Sequence, residues 1–119
     1  MDMLLELARD LAHELQNDDR FIRAQMAQAA ADEDEALQAV IGEFNVKRAA
    51  LNTELAKPDK DGERVQTLND EVREVYARLM ANANMQAYQQ AKDELNRALK
   101  SMVTILTMAA EGEDPDTVE

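Results

Sequence analysis

The sequence predicts an all-α fold, an antiparallel helical hairpin or bundle of about five helices. Three observations carry that prediction. Apolar residues recur at three- and four-residue steps through nearly the whole chain, and no stretch alternates with the two-residue period of a strand. The apolar fraction is 45%, yet only 3% of residues are aromatic and there is no Trp, so Ala, Leu, Met and Val make up the core-forming mass, and Ala and unbranched side chains lose little freedom in a helix. Turn-forming residues cluster only where the helical period breaks.

The elements follow in order. A first helix is expected over residues 2–15, with Leu4, Leu7 or Ala8, Leu11 and Leu15 in one stripe and Asp2 as its cap. Asn17-Asp18-Asp19 interrupts it and starts a second helix that runs to about residue 31, with Phe21 or Ile22, Met26 and Ala29 or Ala30 as its apolar face. Asp32-Glu33-Asp34-Glu35 is the next break, and Asp32 with Glu35 has capping-box-like spacing. The third helix then runs to about residue 57. Its residues Leu37, Ile41, Phe44, Arg48, Leu51 and Leu55 have the heptad spacing of a coiled coil, with Arg48 as the polar exception.

Pro58-Asp59-Lys60-Asp61-Gly62 ends that helix, because Pro removes a donor and Gly permits a turn. The fourth helix, residues 63–81, carries Val65, Leu68, Val72, Val75 and Leu79, and two such helices on a short loop should fold back as a hairpin over residues 34–81. Asn82-Ala83-Asn84 separates it from a fifth helix over residues 85–110, where Tyr88, Leu95 and Met102 are seven apart, as are Lys92, Leu99 and Leu106. Residues 1–110 read as one helical domain and residues 111–119, with five acids and no base, as an acidic mobile tail. The hairpin stripe should be buried in the assembled form, and Phe44→Ala should cost about 3–5 kcal/mol if the ring is fully enclosed.

Composition also excludes function classes. Thirteen basic against 25 acidic side chains give a net charge of -12, and no Lys/Arg cluster exists to replace the counterions of a nucleic acid, so direct nucleic-acid binding is not expected. There is no cysteine, hence no disulfide, thiolate metal site or cysteine nucleophile. No apolar run reaches the roughly 20 residues of a membrane span, and the amino terminus lacks the basic region of a signal peptide, which points to the cytoplasm. His13 is the only histidine. His13-Glu14-Leu15-Gln16-Asn17 lacks the second His of a zinc-protease pair, and its expected place is a helix surface. Neither a phosphate-cradling Gly-rich loop nor an EF-hand loop occurs, since Asp59-Lys60-Asp61-Gly62 is too short. The residue types therefore favour no enzyme, no cofactor, no metal and no small-molecule substrate. The alternative is a metal-handling or enzymatic bundle with an unrecognised carboxylate site. A purely structural, self-associating hairpin protein is a third possibility.

Val75-Tyr76-Ala77-Arg78-Leu79-Met80-Ala81 leads into Asn82 or Asn84, then Tyr88, Ala91, Glu94, Leu95 and Asn96. This resembles the carboxy-terminal part of the YlbF/YmcA family of small helical bacterial proteins, in which an Asn at a helix break precedes a Tyr-x-x-Ala-x-x-Glu-Leu-Asn helix. Upstream, Leu7-Ala8-Arg9-Asp10-Leu11-Ala12 is similar to the family's opening helix, Phe21 and Ala24 to its second, and Ile41-Gly42-Glu43-Phe44 to its central helix. The resemblance covers about residues 2–107. It implies a non-enzymatic cytosolic regulator that acts by protein–protein contacts. Some family members form a complex with each other and a third protein, affect competence, sporulation and biofilm formation, and steer the membrane-anchored endoribonuclease Y. Those members hold iron–sulfur clusters through cysteines. This chain has none and is similar to the cysteine-free paralogues. Protein partners and a homo-oligomer, a dimer, are expected. The residues assigned to a partner or oligomer interface are Phe44, Arg48, Asn84, Met85 and Tyr88, because aromatic and Met side chains anchor helix-to-helix contacts.

Overall fold

A computed structural model describes residues 1–117; Val118 and Glu119, the last two residues of the expected tail, lie outside the described residues. It contains α1 (Met3–Gln16), α2 (Asp19–Glu33), α3 (Glu35–Leu55), α4 (Gly62–Ala81) and α5 (Ala83–Ala110), then a short 3-10 turn, Pro115–Thr117. There is no strand among the described residues, and the fold is all-α.

The helix breaks fall where short polar side chains replace missing backbone partners. Asp2 Oδ1 accepts from the amides of Leu4 and Leu5 and caps α1. Asp18 accepts from the Arg20 amide at the start of α2. Asp61 caps α4 through the Glu63 and Arg64 amides, and Asn82 accepts from the Met85 amide at the start of α5. The cap of α3 is Asp34, not Asp32: its Oδ1 accepts from the Leu37 amide, and α2 continues through Asp32 to Glu33. Four consecutive acids make several caps locally possible. Asp34 wins because it alone also meets two side-chain amides from a distant part of the chain, described below. At the other end of α5, Gly112 takes φ +86°, so its amide reaches the Ala109 carbonyl and that of Glu113 the Met108 carbonyl. This is the left-handed helix ending that Gly adopts without a Cβ clash.

Two compact units divide the chain. One joins Met1–Ala27 to the chain from Tyr88 onward, and the other is Gln28–Ala87. The second unit is built on the antiparallel pair α3 and α4. Its cross-links descend along α4 as they ascend along α3: Asp34 to Asn82 (3.2 Å), Glu43 to Arg78 (2.7 Å), Lys47 to Glu71 (3.0 Å) and Glu54 to the Asp61 amide (3.1 Å). Ala31, Leu37, Leu68, Val75 and Leu79 form its core, with Leu37 and Val75 fully enclosed. Gln38 Nε2 donates to the Ala31 carbonyl and ties the end of α2 to α3. The remaining stripe residues Ile41, Phe44, Leu51, Val65 and Val72 are half-buried in the single chain. Phe44→Ala therefore loses only part of the transfer free energy of an enclosed ring. The expected cost is about 2 kcal/mol rather than 3–5, to be read from urea unfolding.

The first unit is less enclosed. Ala91 and Ala98 of α5 are buried, and Leu95, Met102 and Ile105 are half-buried around them. On α2 the covered residues are Phe21, Ala24 and Ala27, whereas Ile22 (43%) and Met26 (68%) are exposed. The expected α2 face is thus rotated. Phe21, Ala24 and Ala27 lie at three-residue steps on one side of α2, so covering the Phe21 ring turns Ile22 and Met26 outward. Helix α1 buries no residue at all.

Candidate functional site

Helix α3 places Phe44 and Arg48 one turn apart, and α4 brings Tyr76 to the same spot. The Phe44 and Tyr76 ring centroids lie 6.0 Å apart at 45°, and the Arg48 guanidinium sits 5.8 Å from the Phe44 centroid. Aromatic pairs tilted in this way are stabilised by edge-to-face electrostatics, and a guanidinium is attracted to the ring face. Arg48 and Tyr76 are exposed, so the group forms an aromatic and cationic ledge on the second unit's surface. Beside it Arg78 bridges Glu43 at 2.7 Å and Glu74 at 3.1 Å, and those carboxylates hold its guanidinium more firmly protonated than usual. Tyr76, one of the four aromatic residues of the chain, is not among the interface residues expected from the sequence. Its position beside Val75 in the α4 stripe, across from Phe44, was the available signal.

Asn84 is committed within the chain. Its Nδ2 donates to Asp34 Oδ2 at 3.0 Å, and Asn82 Nδ2 donates to the same oxygen at 3.2 Å. The Asp34 carboxyl is held below its ordinary range, first by the Leu37 amide and then by Asn84 and Asn82. Met85 is half-buried next to this clasp. Glu54 closes the opposite end of the hairpin. Its side chain is 5% exposed and accepts from Lys57 Nζ at 2.9 Å and the Asp61 amide at 3.1 Å, with Arg64 at 3.8 Å. Lys57, and next the Asp61 amide, lower its pKa.

In the first unit Tyr88 is half-buried, and Lys92 Nζ lies 5.7 Å from its ring centroid. An open cleft of about 510 Å³ is lined by Arg20, Glu94, Arg97, Ala98, Ser101, Met102 and Ile105. Its charges are partly spent on their neighbours. Arg20 forks onto Asp18 at 2.9 and 3.0 Å and pulls that carboxyl down to about 2, and Arg23 reaches Glu94 at 3.2 Å. His13 is exposed on the last turn of α1. Among the described residues no three His, Asp or Glu side chains converge as a metal cage, and no helix is long and apolar enough to cross a membrane.

A family model described as "Control of competence regulator ComK, YlbF/YmcA" matches residues 4–110, which span all five helices. The chain belongs to the YlbF/YmcA family. The resemblance seen in the sequence is thereby confirmed over nearly the whole chain, and with it membership of a regulatory family linked to competence control. No curated protein matches the chain significantly, and no solved structure does.

Proposed function

We propose that this YlbF/YmcA chain is a non-enzymatic cytoplasmic regulator that works as an adaptor, by protein–protein contacts and as a homodimer, in developmental control or RNA processing. The observation that carries the proposal is the family match over residues 4–110. The surface chemistry supports it. Phe44, Arg48 and Tyr76 offer a rigid aromatic anchor with a cation, the composition found at binding hot spots. Tyr88 with Lys92 offers a second, smaller one, and Met85 with Asn84 completes the proposed interface residues. A net charge of -12 opposes collection of an RNA backbone, so any link to RNA runs through a partner protein. With no cysteine in the chain, the role needs no cluster ligated by this subunit.

The test is a pull-down from native lysate beside direct binding to single-stranded RNA at moderate salt. A specific protein partner lost on Arg48→Glu or Tyr76→Ala, with no RNA binding, is the expected result. Tight RNA binding with no protein recovered would overturn the proposal. Metal analysis of the purified protein, with and without chelator, checks the carboxylate-site alternative, and stoichiometric metal would favour it.

A further inference from the structure

The antiparallel pair of α3 and α4 has two flanks of opposite character. On one, Glu43 meets Arg78, Lys47 meets Glu71 and Glu54 faces Arg64, the ion pairs between these helices among the described residues. The other carries Ile41, Arg48 and Leu55 of α3, seven residues apart and so on one side of the helix. Against them stand Asn69 and Tyr76 of α4, also seven apart. The Phe44–Tyr76 ring pair, with Arg48 over Phe44, shows that these two sides meet.

The second flank holds no carboxylate. The residues three places before each of those named, Gln38, Asn45 and Asn52 on α3 and Gln66 and Arg73 on α4, are neutral or basic. Asp34, one heptad before Ile41, is taken up by the Asn82 and Asn84 amides. Arg48 and Arg73 therefore stand without an ion pair among the described residues, in a chain with 25 acidic and 13 basic side chains. Beside Arg48, Tyr76 is 51% and Leu55 45% exposed.

We infer that this flank seats an acidic amphipathic helix of a partner protein, with a carboxylate on Arg48 and apolar side chains against Ile41, Leu55 and Tyr76. The inference rests on the protein-contact reading above and names the partner's chemistry. Charge complementarity selects the occupant. The Phe44 ring already shields one side of the Arg48 guanidinium, so an incoming carboxylate meets a cation partly stripped of water, whereas an incoming cation is repelled. A second copy fits poorly. Pairing this flank with itself about a twofold axis brings arginines together, and pairing it with an acidic surface elsewhere on a copy does not close. Shape selects a helix, because the furrow between two packed helices accepts the ridge of a third whose apolar residues recur at three- and four-residue steps.

The experiment uses the full chain and a fluorescently labelled synthetic peptide of roughly three heptads, with Leu at the two apolar positions of each heptad and Glu at the flanking ones. The same peptide with Lys for Glu is its counterpart, and binding is followed by anisotropy. The wild type should bind the Glu peptide about 10-fold more tightly than the Lys peptide, although a net charge of -12 favours the opposite order. Arg48→Glu should weaken the Glu peptide on the order of 10-fold and tighten the Lys peptide. Val46→Glu, exposed on another side of α3, should leave the preference unchanged. Tyr76→Ala should weaken both peptides. Circular dichroism checks that each variant folds. Should Arg48→Glu fail to fold, Arg73→Glu supplies the charge reversal.

A wild type that binds neither peptide or prefers the Lys peptide overturns the inference, as does a preference untouched by the charge reversals. Self-association lost on Arg48→Glu would give the flank to a second copy, and single-stranded RNA bound by the wild type and lost on Arg48→Glu would give it to a nucleic acid. Either overturns the inference. A lysate partner whose binding survives both Arg48→Glu and Arg73→Glu overturns this seat alone and leaves the protein-contact reading standing. Tight RNA binding with no protein recovered overturns that reading as well.

Discussion

Leu37→Ala is expected to lower the stability of the chain by about 2–5 kcal/mol, a drop in Tm of about 10–20 °C at fixed protein concentration. Leu37 is 0% exposed, as is Val75, in the core of the α3–α4 hairpin. Removing its side chain takes away the transfer free energy of the buried carbons and leaves a cavity that packed helices fill only in part. The backbone argument works in the same direction. The Leu37 amide is the one that Asp34 caps, so any settling of α3 into the cavity also strains that hydrogen bond. Leu55→Ala on the same helix is the control: Leu55 is 45% exposed, and the expected loss is within about 1 kcal/mol. Thermal and urea unfolding followed by circular dichroism measure both. Equal effects at the two positions would mean that the hairpin core lies elsewhere.

The second large effect is electrostatic and appears as a pH-dependent difference. Asp34 and Glu54 hold opposite ends of the hairpin, and both carboxyls are held below their ordinary pKa. A carboxylate whose folded pKa is depressed adds stability above its unfolded pKa, about 4, and loses it as pH falls through the folded value. The wild-type profile alone would mislead, because acid also relieves the repulsion of a chain at -12. The difference between wild type and variant cancels that background. Asp34→Ala removes the α3 cap and leaves the Asn82 and Asn84 amides without their shared acceptor. Glu54→Gln keeps the shape but removes the charge facing Lys57 and Arg64. Each variant should melt several degrees below wild type at pH 7. For Glu54→Gln the gap should begin to narrow as pH falls below about 4, where the unfolded chain takes up the proton, and close only below the depressed native pKa, where wild-type Glu54 is itself protonated. For Asp34→Ala it should narrow only in part, because a protonated Asp34 still accepts hydrogen bonds. Gaps that stay constant down to pH 2 in both variants would show that charge plays no part at either end.

The helices themselves are a property of the sequence. Leu4, Leu7 and Leu11, Leu37 and Ile41, and Val65, Leu68 and Val72 each repeat with the helical period, and any local reading of them finds the same five segments. The breaks at Asn17-Asp18, at Pro58 to Gly62 and at Asn82 are equally local, because capping oxygens, a missing proline donor and a tight turn act within four or five residues. Family membership is legible for a related reason: it lies in the order and spacing of such segments, and it extends over residues 4–110. Contacts between distant residues decided the rest. Which acid of Asp32-Glu33-Asp34-Glu35 caps α3 depended on Asn82 and Asn84, some 50 residues away. Which face of α2 turns inward depended on covering the Phe21 ring, with Ala24 and Ala27 on the same side, which left the larger Ile22 and Met26 exposed. Glu54 reads as one more surface acid beside Lys57 until the Pro58 turn brings the Asp61 amide and Arg64 back onto it. Tyr76 becomes the partner of Phe44 only when α4 folds back along α3. Helical periodicity and capping are energies of neighbours along the chain, so the sequence determines them by itself. Burial, shared acceptors and ring pairs are energies between segments that meet only after loop closure, so they exist only in the tertiary structure.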